Sequence, residues 1–260
     1  MNIYISSSVK EDINDTIHIA NDLNVNIEIC KFAESCILDG DLDSFINKYK
    51  SSLAKFQGIL SLHGVFYDLN VVSKDSKVRE LSIYRYNQSF KIAKALNIKT
   101  IIFHTGYNGL VKSPAYHNKF VNDQISFWKE FIKQFEDADI TVALENTYEP
   151  TPEVILNILQ NVNSKYLRSC IDTGHVNINS ESSIQDWILK MKDYLHHMHL
   201  HNNHGKYDEH NSLLDGSINF KEIIEFLIKN NLNPNLTLEI FNQKSSLESL
   251  NLVKEAYITR

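Results

Sequence analysis

Residues 98–107, IKTIIFHTGY, hold a β-branched apolar run that stops on a histidine, His104, and turns at Thr-Gly. The same event recurs along the chain. ILSLHG (59–64) ends near His63, DITVALENT (139–147) stops at Glu145, and LRSCIDTGH (167–175) stops at Asp172 with His175 three residues on. MHLHNN (198–203) carries His199, YDEH (207–210) carries Asp208 and His210, and LTLEIF (236–241) carries Glu239. One strand that ends on a metal-liking side chain says little. Nine such side chains, most of them at or just past the end of an apolar run, say that the strand ends converge, which a closed or fan-like parallel sheet achieves.

Working outward, eight short runs read as strands, at about 2–6, 25–30, 58–63, 98–104, 139–145, 167–172, 194–201 and 236–241. Longer segments with helical spacing lie between them, such as Ile83, Tyr86, Phe90, Ala93 and Leu96. Helix starts are expected at Asp41, at Thr151 before a proline, and at Ser217. Eight strand signals alternating with eight helix signals over 260 residues is the count of a (β/α)8 TIM barrel, an α/β fold in one domain spanning 1–260. The competitor is a doubly wound open sheet. It would carry a Gly-rich first turn, whereas SSSVKED (6–12) follows the first strand here. No repeat, low-complexity tract or Pro/Gly linker divides the chain. Two long connections, 64–74 and 202–218, each follow a strand, where barrels place their chemistry.

Composition narrows the classes. With 43% hydrophobic residues the chain can bury a full core, and a formal net charge of −6 with only four arginines (Arg79, Arg85, Arg168 and Arg260) weighs against a nucleic-acid partner. The three cysteines are odd in number and lack CxxC spacing; Cys30 and Cys170 sit in apolar runs and Cys36 in a loop-like stretch, which points to a reducing compartment. Neither a signal peptide nor a membrane-length apolar run is present, so a cytoplasmic location without membrane attachment is expected.

The chemistry lies in the strand ends. A carboxylate pointing into a barrel from Glu145, Asp172 or Glu239 is buried at high cost without a cation. In YLHHMHLH (194–201) a period of two puts His197, His199 and His201 on one face. His199 is the best ligand of the three, His197 a packed, hydrogen-bonded neighbour, and His201 a supporting or substrate contact. Three carboxylates and one imidazole make an oxygen-rich site for Mn2+, Mg2+, Co2+ or Fe2+, with Zn2+ also accommodated. His63 and His104 end adjacent strands and could hold another metal or orient a substrate. His175, past a Thr-Gly turn, suits a ligand or hydrogen-bond donor at the rim, and Asp208 and His210 share one extended face by their i, i+2 spacing, so one to three ions are expected. His175, His201, Lys206 and Tyr107 are candidate substrate contacts. Phe66, Tyr67 and Tyr148 are further aromatics expected near the mouth, and His204 a second cation in the loop of Lys206.

At these residues the chain resembles the xylose-isomerase-like TIM-barrel superfamily, which contains sugar phosphate isomerases/epimerases and endonuclease IV. The resemblance runs from VNIEICKF (25–32) to LEIF (238–241) and is most specific in HGVFYDLN (63–70), SKDSKVRE (73–80), IIFHTGY (101–107), ALENTYEPTPEVIL (143–156), CIDTGHVN (170–177), MHLHNNHGKYDEH (198–210) and LLDGSINF (213–220). It departs from the isomerase/epimerase pattern at Asn203 and at LLDG (213–216), which touches the shape of that loop.

In isomerase/epimerase members the positions matching Glu145, Asp172, His199 and Glu239 bind one divalent metal, and the two glutamates are the catalytic pair that moves protons on opposite faces of the substrate. The resemblance thus implies a metal-dependent sugar or sugar phosphate isomerase/epimerase working through a metal-stabilised enediolate, with a small carbohydrate as its partner and a homo-oligomer as one available assembly. In endonuclease IV relatives all nine positions correspond to ligands of a three-metal cluster that cleaves DNA at abasic sites, which makes a nuclease the alternative. Against it, CKFAESCILDG (30–40) stands where that family carries its DNA-penetrating loop. A non-catalytic, metal-containing metabolite-binding barrel is a third reading. It requires a filled coordination shell with no position open to water or substrate.

Overall fold

A computed structural model describes residues 2–258. All eight expected strands form: β1 (Ile3–Ser6), β2 (Asn26–Ile29), β3 (Leu60–His63), β4 (Thr100–His104), β5 (Thr141–Glu145), β6 (Leu167–Asp172), β7 (Leu195–Leu200) and β8 (Asn235–Leu238). Each pairs in parallel with its neighbours in chain order, and β8 returns to β1, closing the barrel. One principal helix follows each strand, from Ile13–Leu23 after β1 to Gln243–Ile258 after β8. The open-sheet alternative is thereby excluded.

The pleat sorts the side chains. Ile27, Ile29, Leu62, Ile101, Phe103, Val142, Leu144, Met198 and Leu200 point outward and join the helices in one large apolar core. Inside the barrel the filling is different. Ile102, Ala143 and Cys170 form a small separate apolar cluster, while Glu28, Ser61, His197 and Thr237 are fully buried polar residues. Strand register lines up the upper rim: His104 is opposite Glu145, and Asp172 opposite His199.

Helix starts follow the caps with two corrections. Asp41 accepts from the Ser44 N–H at 3.1 Å and opens Leu42–Leu53 as expected. The helix expected from Thr151 begins at Glu153, with Pro152 as the flanking residue. The helix expected from Ser217 begins at Phe220, capped by Asn219. Ser217 is engaged elsewhere: its hydroxyl donates to the Asn203 carbonyl at 3.2 Å and accepts from Asn177 Nδ2 at 2.8 Å, tying down the long loop after β7. Among the described residues no helix is long and apolar enough to cross a membrane.

Candidate metal centre

The carboxyl ends of the strands, with the segments just after them, build the site. Ligand atoms of Glu145, Asp172, His199 and Glu239 all lie within 4.8 Å of one another, although the residues span most of the second half of the chain. His199 Nδ1 is the common point, 3.3 Å from Glu145 Oε1, 3.2 Å from Glu239 Oε2 and 3.8 Å from Asp172 Oδ2. The second oxygen of Glu145 faces the other way, 3.5 Å from His63 Nε2 and 3.3 Å from His104 Nε2. Glu145 therefore has the pose of a bridging carboxylate between two ligand groups.

A third group sits at the rim. Asp208 Oδ2 is 3.3 Å from His175 Nε2 and 3.2 Å from His210 Nε2. The loop after β7 delivers it: Asn202 and Asn211 form an isolated antiparallel bridge, which folds the segment between them back over the mouth. His201 joins the groups, with Nε2 3.1 Å from both Asp172 oxygens and its ring stacked on His210 at 4.0 Å. That close approach requires Gly174. A Cβ there would stand 2.0 Å from His201 Cε1.

The imidazoles are pre-oriented. A carbonyl oxygen can only accept, so His63 Nδ1–H donates to Gly64 O at 3.0 Å, His175 Nδ1–H to Asn146 O at 2.9 Å, and His210 Nδ1–H to Glu239 O at 2.8 Å. Each of the three is left with Nε2 aimed at a carboxylate. This is the arrangement of metal-ligating histidines, whose other ring nitrogen is held by a fixed acceptor.

Charge and burial agree with a cation. Glu145 (both oxygens), Glu239 Oε2 and His199 Nδ1 are buried with no hydrogen-bond partner, a costly condition that ligation would relieve. Burial opposes charge on Glu145, yet His199 and His104 hold its carboxyl well below the usual range. Burial likewise opposes charge on Asp172, while His175 and His201 bring it down to about 2. Burial opposes protonation of His63, and Glu145 overrides it, raising the imidazole to about 9. Positive imidazolium charge thus neutralises carboxylates in the place a divalent ion would take. The residues fit such an ion, with Glu145, Asp172, His199 and Glu239 as its first set of ligands.

A cleft of about 270 Å³ opens beside the cluster, lined by Glu239, His63, Cys30, Phe66, Tyr67 and Phe241 among others. Phe66 packs against both His63 and His104, each ring 4.9 Å away, and Phe241 stacks on His210 at 4.5 Å. Tyr148 is exposed.

Two expected substrate contacts are not brought to this cluster. Tyr107 is buried against Tyr116 and Phe120, with centroids 5.4 and 5.1 Å away, and belongs to the outer core. Lys206 is exposed, its ammonium 4.9 Å over the Tyr207 ring. Its loop neighbour His204 pairs with Glu209 at 2.9 Å. The loop is held in place by its asparagines, which leaves these cations on the outside.

Several residues were not anticipated. Asn146 clamps Asp172 from both sides, accepting from its N–H at 2.9 Å and donating to its carbonyl at 3.1 Å. Glu149 is buried, bonded to Thr105 and to the Thr147 N–H, and burial raises its carboxyl. Glu28 lies beneath His199, with Oε1 2.9 Å from Nε2. For Glu28 a signal existed: in NIEI (26–29) it alternates with two isoleucines, so if they face the helices it faces inward.

Comparison with known proteins agrees with the barrel fold. The uncharacterized protein MJ1311 of Methanocaldococcus jannaschii is 27% identical over 210 residues, covering 77% of this chain and 71% of its own length. A D-tagatose 3-epimerase-like protein superposes with a TM-score of 0.84 at 25% identity, covering 100% of this chain and 98% of that one. A structure of the TTHB071 protein from Thermus thermophilus, soaked with ZnCl2, shares the fold with a TM-score of 0.84 at 20% identity, covering 100% and 99% of the two chains. Residues 32–256 match the family described as xylose isomerase-like TIM barrel, and the chain belongs to that family.

Proposed function

We propose that this protein is a divalent-metal-dependent isomerase or epimerase of a small sugar or sugar phosphate. The observation that carries the reading is the meeting of Glu145, Asp172, His199 and Glu239 at one mouth of the barrel, with Glu239 also lining an open cleft. The likeness to a D-tagatose 3-epimerase-like protein supports the same class. A bound cation supplies a Lewis acid that polarises neighbouring carbonyl and hydroxyl oxygens and so acidifies the C–H between them.

The chain's residues do the rest. Glu239, which lines the cleft, accepts the proton from the substrate carbon, and Glu145, in the same cluster, returns one to the opposite face. Inversion at carbon needs both carboxylates, whereas aldose–ketose exchange needs one. Phe66 and Phe241 flank the approach with apolar ring surface suited to a sugar's C–H face and to keeping water from the reacting carbon.

The test is incubation of Mn2+-, Co2+- or Zn2+-reconstituted protein with a panel of ketoses and ketose phosphates in D2O, followed by NMR. The expected result is deuterium entering at the carbon beside the carbonyl, together with a new stereoisomer. No exchange with any metal or sugar overturns the proposal.

One observation favours a second reading. Besides the four central ligands, His63 with His104 and His175 with Asp208 and His210 form two further ligand groups, more than single-metal proton transfer requires. A multi-metal phosphodiester hydrolase of the endonuclease IV kind uses such an array. Specific incision of an abasic-site duplex, lost on chelation, would establish it over the sugar enzyme.

A further inference from the structure

Beneath the cluster, inside the barrel, lies a polar layer that the proton-transfer reading does not use. Its centre is Glu28 on β2, fully buried among residues from three other strands. Ser61 Oγ donates to Glu28 Oε2 at 2.9 Å, and Thr237 Oγ1 donates to the same oxygen at 3.1 Å. Thr237 has one proton to give, so in turn it accepts from His197 Nε2–H at 2.7 Å. These contacts fix one carboxylate oxygen and leave the other, Oε1, 2.9 Å from His199 Nε2. That contact is a close ion pair without hydrogen-bond alignment.

His199 is the exception among the ligand imidazoles in presenting Nδ1, since His104 too presents Nε2, 3.3 Å from Glu145 Oε2. His63, His175 and His210 give Nδ1–H to a backbone carbonyl and present Nε2. His199 presents Nδ1 to Glu145, Asp172 and Glu239, and no carbonyl holds its other nitrogen. We propose that Glu28 is the positioning residue of the metal centre: its buried carboxylate keeps the proton on His199 Nε2, turns the Nδ1 lone pair to the cation, and makes that nitrogen a stronger ligand. The inference rests on the reading of the cluster as a metal site. Glu28 touches the ligand His199 and not the substrate. Its separation from Glu145, Asp172 and Glu239 by the His199 ring gives it a role distinct from theirs.

A carboxylate behind a ligating imidazole is worth about 10–100-fold in metal affinity. Glu28→Gln keeps the shape and removes the charge, so its Zn2+ dissociation constant, measured by competition with a chromophoric chelator, is expected to rise by that factor. Ser61→Ala, which leaves the charge in place, is expected to change it much less. An unchanged constant in folded Glu28→Gln overturns the inference. Should that variant not fold, the wild-type protein decides. Long-range 1H–15N spectra of the Zn2+-loaded form are expected to show His199 protonated at Nε2 and ligating through Nδ1, and the reverse tautomer overturns the inference. Wild-type protein that takes up no divalent ion overturns the metal reading itself, an outcome distinct from either.

Discussion

Glu145 and Glu239 occupy different surroundings although both belong to one cluster. Glu145 is fully buried, with an oxygen turned to each of two ligand groups, while Glu239 borders the cleft. Glu239→Gln and Glu145→Gln are each expected to lower turnover by about 10²–10⁴-fold, the usual worth of a positioned proton-transfer group, with the circular dichroism of a folded barrel retained. Their metal binding should separate them. On the proposed metal reading, Glu145→Gln disturbs a ligand shared by two groups and is expected to reduce bound-metal stoichiometry more than Glu239→Gln, as read by elemental analysis after gel filtration. Equal stoichiometry would remove the bridging role of Glu145.

At the scale of elements, the site depends on how the turn after β6 meets the end of β7. Asp172 closes β6 and accepts from the His175 N–H at 2.7 Å, capping the short helix Thr173–Asn179. Gly174, in the first turn of that helix, leaves the space that the His201 ring fills. Gly174→Ala is expected to push His201 from Asp172 and to destabilise the fold by about 1–3 kcal/mol, the range for overpacking a buried site. Chemical denaturation measures the second effect, and a drop in metal stoichiometry the first. Wild-type values in both would mean that the turn can open without disturbing the cluster.

For the whole molecule, the proposed ion would link stability to metal binding. An ion that binds only the folded barrel adds about 2.7 kcal/mol at a hundredfold excess over its dissociation constant. For a chain of this size that corresponds to a rise in Tm of about 5–10 °C. Calorimetry with and without a chelator checks this, and an identical Tm contradicts it. The pH dependence has a definite sign. Burial opposes charge on His63 and His210, but Glu145 and Asp208 raise them to about 9 from the ordinary 6.5. In the metal-free protein their protonated forms stabilise the fold fully below about pH 6.5, and this contribution fades as pH rises towards 9. A divalent ion needs the neutral ring, so apparent metal affinity is expected to climb through the same window, by up to about tenfold per pH unit for each proton displaced. Metal titrations across that window test it, and a flat profile would show that these imidazoles are not ligands.

The sequence by itself determined the barrel and the membership of its metal-liking residues. Period-two alternation settles which strand residues share a face, and strand-helix alternation settles that the strand ends gather at one rim, because backbone geometry dictates both. The eight strands were legible on those grounds to within two residues, except that β8, expected to run to 241, stops at Leu238 and leaves Glu239 just past its end. Distance and direction were not. Whether Lys206 and Tyr107 face the cluster depends on how a long loop folds and on which core an aromatic ring enters, and packing sent both elsewhere. Ser217 looked like a helix cap until the loop after β7 claimed its hydroxyl. Which nitrogen an imidazole presents can depend on carbonyls and carboxylates far away in the chain, as with Asn146 for His175 and Glu28 for His199. Spacing along a chain fixes the face a side chain occupies, but only close packing of the whole barrel fixes the atom it meets.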